Sequence, residues 1–403
     1  MRPHPQVGSS SRAPRGMRIL HTADWHVGRA LRGRSRASEH VAALAEIANV
    51  AREHQVDLAI VAGDVFDTSA PTAESEEIVY RGLLSLAETG AHVVVIAGNH
   101  DHPRRLAAVR PLLDLGRVTV QSMLARPNEG GVIEVPTRSG ESARIALLPF
   151  LSQRAIITAD MLMRADAADH VQAYAERYGN IMSSLCAGLD ERVVNIVVAH
   201  ATIVGARMGG GEREAHTIFE YAVPARIFPA GVHYAALGHI HRAQRIDAAC
   251  PVWYSGAPLQ LDFGEAGNEG CVLVIEAEGG VPAKVERVPI TAGRPLRTLR
   301  GTLDALTRRE PEPDDAFLRV ILDEQPRAGL AEDVRALFRN AVDVTVVPPG
   351  QVDDRGEAWT PDAMRRSPTD LFTEYLTARG SPDPAVIDLF RDLLEESGAS
   401  HPT

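Results

Sequence analysis

Gly98-Asn99-His100-Asp101 follows the apolar run His92-Val93-Val94-Val95-Ile96-Ala97, and four other parts of the chain repeat this arrangement. A β-branched run of this length predicts a buried strand, with the polar tetrad in the loop at the carboxyl end of that strand. The four other apolar runs end in residues of the same kinds. The polar residues that follow them are Asp24 and His26, Asp64, His200, and His239 with His241.

These five junctions predict a divalent-metal site. Open α/β sheets bind ligands beyond the carboxyl ends of their strands, so the side chains are expected to meet at one edge of a sheet. Asp24 and His26 are separated by one residue and therefore point to the same side of an extended segment. The carboxylate of Asp64 has two oxygens and can bridge two cations. The predicted ligands are Asp24, His26, Asp64, Asn99, His200, His239 and His241.

The types of ligand narrow the choice of metal. Nitrogen and oxygen ligands in one set suit Mn²⁺, Fe or Zn²⁺ better than Mg²⁺, which prefers oxygen and water, and we take Mn²⁺ as the first choice. The cysteines Cys186, Cys250 and Cys271 are scattered, so they predict no thiolate site. A single histidine at a strand end is usually an ordinary hydrogen-bonded residue. Seven potential ligands at five strand ends make coincidence a poor explanation for the whole set.

Length and composition limit the class of protein. A chain of 403 residues is expected to form two or three domains, and 45% apolar residues suffice for a full core. The net charge of -11 argues against a protein that coats nucleic acid by charge alone, although a local basic patch could guide a phosphodiester backbone. The scattered cysteines indicate a reducing compartment, and no apolar run reaches about 18 residues. We therefore expect a cytosolic protein.

Strands and helices alternate between residues 17 and 290, which predicts a layered α/β domain. The helical spacing of apolar residues predicts crossover helices at Ala37–His54 and Glu74–Leu86. Two later apolar segments, Val252–Gly256 and Gly270–Glu276, are predicted as strands of a second sheet.

The chain changes character outside this domain. Residues 1–16 are expected to be disordered because they have no apolar period. Residues 291–348 predict a compact α+β unit, residues 349–366 a linker, and residues 367–397 a pair of amphipathic helices. Ser367 is the expected N-cap of the first of these helices. Their apolar faces could pack on their own domain or on a partner, and the sequence leaves both open.

Arginines crowd two of the five junctions. Arg29, Arg32, Arg34 and Arg36 follow Asp24-x-His26, and Arg104, Arg105 and Arg110 follow the Asn-His-Asp segment. Charge near a metal site could contact phosphates along a duplex, and a solvated loop is the alternative. The only lysine, Lys284, is not part of a P-loop, and the glycine-rich segment Gly205–Gly211 also lacks that pattern. Any dependence on ATP must therefore come from another polypeptide.

The junctions carry a resemblance to a known family. In chain order they are Asp24-x-His26, Gly63-Asp64-x-x-Asp67, Gly98-Asn99-His100-Asp101, His200 and Gly238-His239-x-His241. This series resembles the five signature blocks of the calcineurin-like metallophosphoesterases. Within that superfamily the chain is similar, from Met17 to about Glu396, to the SbcD family of nuclease subunits, which act in DNA repair complexes. The resemblance implies a four-layer sandwich of two mixed sheets flanked by helices, with a small α+β capping domain and a C-terminal helix pair.

The resemblance also implies roles for the site residues. It implies one cation held by Asp24, His26, Asp64 and His241, and a second held by Asp64, Asn99, His200 and His239. Two divalent ions about 4 Å apart can activate water and neutralise phosphate oxygens during in-line attack. The resemblance makes His100 the proton donor or transition-state stabiliser, and Asp67 the carboxylate that orients it.

For activity, the resemblance implies a DNA exonuclease acting 3′ to 5′ on duplex ends and an endonuclease acting on single strands and hairpins. The implied partner is SbcC, an ABC-type ATPase with a long coiled coil, which would dock on the terminal helices of a homodimer within a heterotetramer. The alternative is a small-molecule phosphodiesterase or phosphatase of the same superfamily. The chain after Arg294 favours the nuclease, because a simple phosphatase needs neither a cap nor a terminal helix pair. A non-enzymatic scaffold would have lost ligands, and none is lost here.

Overall fold

The computed structural model describes the chain from residue 16 to residue 397 with several gaps. The described ranges are 16–136, 142–152, 155–156, 170–190, 192–212, 222–308, 315–348, 372–373, 376–377 and 383–397. Within them the strands form two six-stranded sheets and one three-stranded sheet. The expected disorder of residues 1–16 falls almost entirely outside the described residues.

The first sheet has the strand order β12-β11-β1-β2-β3-β4. Its strands are β1 (Met17–Thr22), β2 (Leu58–Val61), β3 (His92–Ile96), β4 (Val118–Gln121), β11 (Cys271–Glu278) and β12 (Val281–Pro289). Strands β1 to β4 are parallel, and every residue of β2 is buried. Helices cover one face of this sheet, and the second sheet packs on the other. A strand buried on both faces reads as a continuous apolar run, which explains the pattern in the sequence.

Helices connect the parallel strands of this sheet. They are α1 (Ala37–Glu53), α2 (Ala73–Glu88) and α3 (Pro103–Asp114). The oxygen of Thr72 accepts a hydrogen bond from the Ser75 backbone N–H and caps α2, while Pro103 occupies the first turn of α3. The predicted crossover helices are therefore confirmed to within two residues at their ends.

The second sheet has the strand order β5-β6-β7-β8-β10-β9. Its strands are β5 (Val132–Pro136), β6 (Ser142–Leu148), β7 (Val194–His200), β8 (Tyr234–Gly238), β9 (Gln244–Ile246) and β10 (Val252–Tyr254). Helix α4 (His170–Leu185) covers its outer face, where Tyr178 and Met182 belong to the same buried cluster as Val197. Between the two sheets, Ile60 and Ile196 belong to one fully buried cluster. The domain therefore has the predicted four layers, which are helices α1 to α3, the first sheet, the second sheet and helix α4.

One predicted strand lies in the other sheet. The segment predicted at Gly270–Glu276 is β11, which pairs antiparallel with β1 of the first sheet, so its assignment to the second sheet was wrong. The physical reason is that an apolar run specifies burial but not the neighbouring strand, and the chain after β10 crosses from one sheet to the other. Val252–Gly256 does contain a second-sheet strand, because β10 pairs with β8.

A small α+β unit follows β12. Its strands β13 (Leu296–Gly301), β14 (Phe317–Leu322) and β15 (Ala341–Val346) are parallel, and they alternate with α5 (Leu303–Thr307) and α6 (Leu330–Leu337). It has its own core, in which Val320 and Val334 are fully buried. A separate cluster of Leu31, Phe263, Leu296 and Phe317 joins it to the large domain.

The last described helix is α7 (Pro384–Ser397), and the ring of Phe390 stacks on Phe372 with a centroid distance of 4.0 Å. The predicted linker at 349–366 and the predicted cap at Ser367 lie outside the described residues. Among the helices that the structure describes, none combines the length and the apolar character that a membrane span requires.

Candidate metal centre

The carboxyl ends of five strands bring the predicted ligands together. Asp24 and His26 follow β1, Asp64 follows β2, Asn99 follows β3, His200 ends β7, and His239 and His241 follow β8. All except Asn99, which is half-buried, are buried. The predicted ligands form two ligand groups. They comprise Asp24, His26 and His241 in the first and Asp64, His200 and His239 in the second, and within each group one ligand atom from every residue lies within 4.8 Å of the others. His26, Asp67 and His100 meet the same distance criterion.

The backbone at this edge is held in an unusual conformation. Asp24, His26, Asp64 and His239 all have positive φ, between 46° and 100°. Non-glycine residues avoid this region at a cost of about 1–3 kcal/mol each, and such strain is concentrated at functional sites. Gly98 makes the arrangement possible, because a Cβ built there would overlap the Asp64 carboxylate. The Gly-Asn-His-Asp motif therefore needs a glycine at its first position, because the Asp64 carboxylate lies too close for a side chain there.

Asp64 lies between the two ligand groups. Its Oδ2 atom is 3.6 Å from His26 Nε2 on one side and 3.4 Å from His200 Nε2 on the other. Asn99 Oδ1 completes the second group, at 2.9 Å from His200 Nε2 and 2.8 Å from His239 Nδ1. This position suits the bridging role that the sequence predicts for Asp64.

The hydrogen bonds of the histidines point their lone pairs into the centre. His241 Nδ1 donates to Glu265 Oε1 at 2.6 Å, and His200 Nδ1 donates to the Ala62 carbonyl at 2.8 Å. Because a neutral imidazole has one donor and one acceptor nitrogen, Nε2 of each ring then carries the lone pair. His26 Nδ1 lies 3.5 Å from Asp67 Oδ1, and the Nε2 atoms of His26 and His241 are only 3.1 Å apart.

Asp24 supplies a further acceptor to the same place. Its Oδ1 accepts a hydrogen bond from the His239 backbone N–H at 2.9 Å, but its buried Oδ2 has no hydrogen-bond partner in the part of the chain that the structure describes. A buried carboxylate oxygen without a donor is costly. An orphaned oxygen beside two converging imidazole lone pairs fits a divalent cation.

The electrostatics of the centre follow from burial and mutual proximity. Burial raises the pKa of Asp24 to about 7 and lowers the pKa of His26 to about 3. Burial also opposes the charged form of His241, but Glu265 and Asp24 outweigh it and raise the pKa of His241 to about 10. Protons therefore occupy part of the centre when no cation is bound, and metal uptake is expected to release them.

His100 lies beside the first ligand group. Its ring meets the His26 ring edge to face at 4.5 Å, and its Nδ1 donates to the main-chain carbonyl of Asp67 at 2.7 Å. Its backbone N–H donates to Asp64 Oδ1 at 2.8 Å. The Asp67 carboxylate is 3.5 Å from His26 Nδ1 and 3.4 Å from Arg29 Nη1, and one of its oxygens lies within 4.8 Å of a His100 ring nitrogen. The main-chain carbonyl of Asp67 is thus the observed contact to His100, and a role for its carboxylate stays a prediction.

Asp101 organises the loops that carry these ligands, which the sequence reasoning missed. Its Oδ1 accepts from the Phe66 N–H at 3.0 Å and its Oδ2 from the Gly98 N–H at 2.9 Å. It thereby fastens the loop after β2 to the loop after β3. Burial, aided by the charge of Asp64, raises the pKa of Asp101 to about 7. Its place in the Gly-Asn-His-Asp motif was the only signal in the sequence.

The predicted phosphate-binding arginines differ in what they contact. Arg32 forms ion pairs with Asp343 at 2.8 Å and Asp262 at 3.4 Å, and Arg105 pairs with Glu76 at 2.7 Å. Arg34 and Arg104 are exposed. The prediction that Arg36 contacts phosphate together with these arginines is wrong. Arg36 is buried and binds Glu39 and the Gln260 carbonyl, so it is not accessible to phosphate.

Comparisons with known proteins agree with this geometry. Residues 17–243 match the calcineurin-like phosphoesterase family, and residues 292–379 match the type 5 capsule protein repressor C-terminal domain. The chain is 35% identical over 285 residues to SbcD of the nuclease SbcCD from Bacillus subtilis, covering 70% of this chain and 71% of that protein. It is 35% identical over 295 residues to SbcD of Escherichia coli K12, covering 72% of each chain. For SbcD of Rhodobacter capsulatus, the identity is 34% over 337 residues, covering 76% of this chain and 80% of that protein.

Proposed function

The chain belongs to the calcineurin-like phosphoesterase family and, within it, to the SbcD nucleases, and from this membership we propose that it is the metal-dependent nuclease component of an SbcCD complex. The observation that carries the proposal is the convergence of the His26 and His241 lone pairs on the orphaned Asp24 oxygen. A scaffold protein on this fold would have no reason to retain that arrangement.

The chain offers two sets of ligands. Asp24, His26, Asp64 and His241 would hold one cation, and Asp64, Asn99, His200 and His239 would hold the second. Mn²⁺ is the proposed metal, because imidazole, carboxylate and amide ligands occur together. When bound, a pair of such ions supplies the positive charge and the activated water that phosphodiester hydrolysis requires.

His100 is the proposed proton-transfer residue. Its Nδ1 is tied to the Asp67 carbonyl, which fixes the ring and leaves Nε2 as the atom that exchanges a proton with the leaving oxygen. Asp67 would act as a positioning residue, through its carbonyl on His100 and its carboxylate beside His26. The cleavage itself is proposed to run 3′ to 5′ on duplex ends, with endonucleolytic cuts on single strands and hairpins.

One assay separates this function from its alternative. The purified chain with Mn²⁺ is incubated with end-labelled duplex, hairpin DNA and a nitrophenyl phosphodiester, with and without SbcC and ATP, and with an EDTA control. We expect the chain to cleave DNA only when Mn²⁺ is present. We also expect SbcC and ATP to increase the cleavage at duplex ends. Hydrolysis of the nitrophenyl substrate without any cleavage of DNA would identify a small-molecule phosphodiesterase or phosphatase instead.

Arginine contacts to DNA give the first mutational prediction. Exposed Arg34 and Arg104 are proposed to bind phosphates, whereas Arg32 would first have to leave Asp343. Replacing both Arg34 and Arg104 with alanine is expected to reduce the slope of log K against log salt by up to about two, since each phosphate contact contributes about 0.9. Arg192→Ala is the control, because Arg192 is exposed and forms its ion pair with its near neighbour Asp190. An unaltered slope in the double variant would contradict the contact.

The C-terminal helices are proposed to dock SbcC. In α7, Val386 and Leu389 are 40% and 56% exposed, which leaves apolar surface uncovered by the described part of the chain. Deleting residues 367–403 is expected to abolish co-purification with SbcC and to leave Mn²⁺-dependent cleavage of single strands, while deleting only 398–403 is expected to change neither. Persistence of the complex in the longer deletion would refute the assignment. A homodimer within a heterotetramer, and a cytoplasmic location at the nucleoid, remain predictions.

A further inference from the structure

The glycine-rich segment after His200 has no role in the proposed reaction, yet it packs against the metal centre. Gly211 lies directly over the 3-10 turn Phe263–Glu265, and a Cβ built on Gly211 would overlap Glu265 Oε1. The absence of a side chain at position 211 therefore leaves the space that the Glu265 carboxylate occupies. The structure accordingly gives a reason for a glycine that is not part of a phosphate loop.

Glu265 is almost completely buried, with 1% of its surface exposed, and both of its oxygens accept strong hydrogen bonds. Oε1 accepts from His241 Nδ1 at 2.6 Å, and Oε2 accepts from the Leu261 backbone N–H at 2.6 Å. Burial of a carboxylate is tolerated only when its oxygens are satisfied in this way. The carboxylate thus links the His241 ring to the main chain of a different loop.

A second carboxylate holds the main chain of the same ligand. Glu212 Oε1 accepts from the His241 backbone N–H at 3.0 Å and from the Gly209 N–H at 2.6 Å, and its Oε2 accepts from the Gly210 N–H at 2.8 Å. His241 is therefore fixed at two points, its ring by Glu265 and its backbone by Glu212. Neither glutamate is itself part of a ligand group.

We propose that Glu265 is a positioning residue that fixes the ring and the tautomer of His241 for the first cation, with Glu212 holding the backbone beneath it. With Nδ1–H donated to Glu265, the lone pair of His241 lies on Nε2 and faces His26 and Asp24. Carboxylates in this position orient metal-binding histidines and raise their basicity. The inference rests on the proposed metal site and adds the residues that shape it.

The turn that carries Glu265 is anchored at its other end. Phe263 belongs to the buried cluster with Leu31, Leu296 and Phe317, which joins the large domain to the small α+β unit. Asp262 Oδ1 also accepts from the Gly264 N–H at 3.3 Å and closes the turn. The Glu265 carboxylate is consequently presented to His241 by a packed segment of backbone, as a positioning role requires.

Glu265→Gln is the first test. Its amide oxygen can accept from only one of His241 and Leu261. The NH₂ group then either leaves the Leu261 N–H without an acceptor or donates to His241 Nδ1, which moves the ring proton to Nε2. The full-length chain is titrated with Mn²⁺ alone, with binding followed by the electron paramagnetic resonance signal of free Mn²⁺. We expect one of two sites to bind about 10–100-fold more weakly, and the Mn²⁺ concentration for half-maximal DNA cleavage to rise with it. Glu278→Gln, an exposed glutamate on β11, is the control and is expected to match the wild type.

Gly211→Ala is the second test, because it retains the carboxylate but pushes it away from His241 Nδ1. It is expected to weaken the same site, whereas Gly267→Ala, whose Cβ would meet nothing within 4 Å, is expected to leave the affinity unchanged. Wild-type affinity at both sites in either folded variant overturns the inference, and if Glu265→Gln does not fold, Gly211→Ala decides alone. A wild-type chain that binds no Mn²⁺ would instead contradict the proposed function.

Discussion

Replacing His100 with alanine is expected to lower the rate of DNA cleavage by about 10²–10⁴, the usual contribution of general acid catalysis, while two Mn²⁺ ions remain bound. The side chain of His100 is not in either proposed ligand set, so its loss removes proton transfer but no metal ligand. The hydrogen bond from residue 100 to Asp64 Oδ1 comes from the backbone N–H, which alanine keeps. The measurements are single-turnover cleavage of a labelled duplex at saturating Mn²⁺ and Mn²⁺ stoichiometry by metal analysis.

A matched histidine gives the control for this experiment. His54 lies at the end of α1, where its backbone N–H bonds to Val50, and it is not part of the metal centre. His54→Ala is expected to retain wild-type turnover. Full activity in His100→Ala would remove His100 from the mechanism, and loss of Mn²⁺ from that variant would assign it to metal binding instead.

The sequence indicates which side chains follow the strand ends because the relevant signal is local. Each ligand follows an apolar run, and the carboxyl ends of parallel strands lie at one edge of their sheet. This rule groups Asp24 with Asp64 in the first sheet and His200 with His241 in the second. The expectation that all the ligands lie at the edge of one sheet was wrong, because an apolar run does not specify which sheet a strand joins. The small α+β unit was predictable for a similar reason, since Phe317–Leu322 has the length and composition of a buried strand and is observed as β14.

The contacts that the sequence did not reveal are those between segments without any repeating pattern. Glu265 lies 24 residues from His241, in a short turn that no periodicity marks. Arg32 binds Asp343, which is 311 residues away in the sequence and belongs to the small α+β unit. The sequence showed the charge of Arg32 but not this partner, so the charge was interpreted as a contact to DNA. The sheet that receives β11 was missed for the same reason, because apolar character specifies burial and leaves the partner strand undetermined.

Replacing Asp64 with asparagine is expected to reduce bound Mn²⁺ from two ions to at most one and to lower turnover about 10³-fold or more. Asp64 Oδ2 is the carboxylate atom that faces both His26 and His200, and each of those rings is a neutral ligand when it holds a metal. An amide of the same size keeps an oxygen but loses the negative charge that two adjacent cations need. The loss of this charge would remove several kcal/mol of electrostatic stabilisation from the transition state. Each 1.36 kcal/mol that is lost lowers the rate by a factor of ten.

Thermal unfolding with added Mn²⁺ tests the same claim without substrate. A ligand at a hundredfold excess over its Kd stabilises a folded protein by about 2.7 kcal/mol. Mn²⁺ bound at both sites should therefore stabilise the wild type, whereas Asp64→Asn should be stabilised by one bound ion or by none. Asp57→Asn, at the opposite end of β2, is the control, because Asp57 binds the Arg18 backbone N–H and no ligand group. An Asp64→Asn variant that keeps both ions, the full Mn²⁺ stabilisation and wild-type turnover would contradict a bridging carboxylate. Such a result would divide the centre into two independent sites.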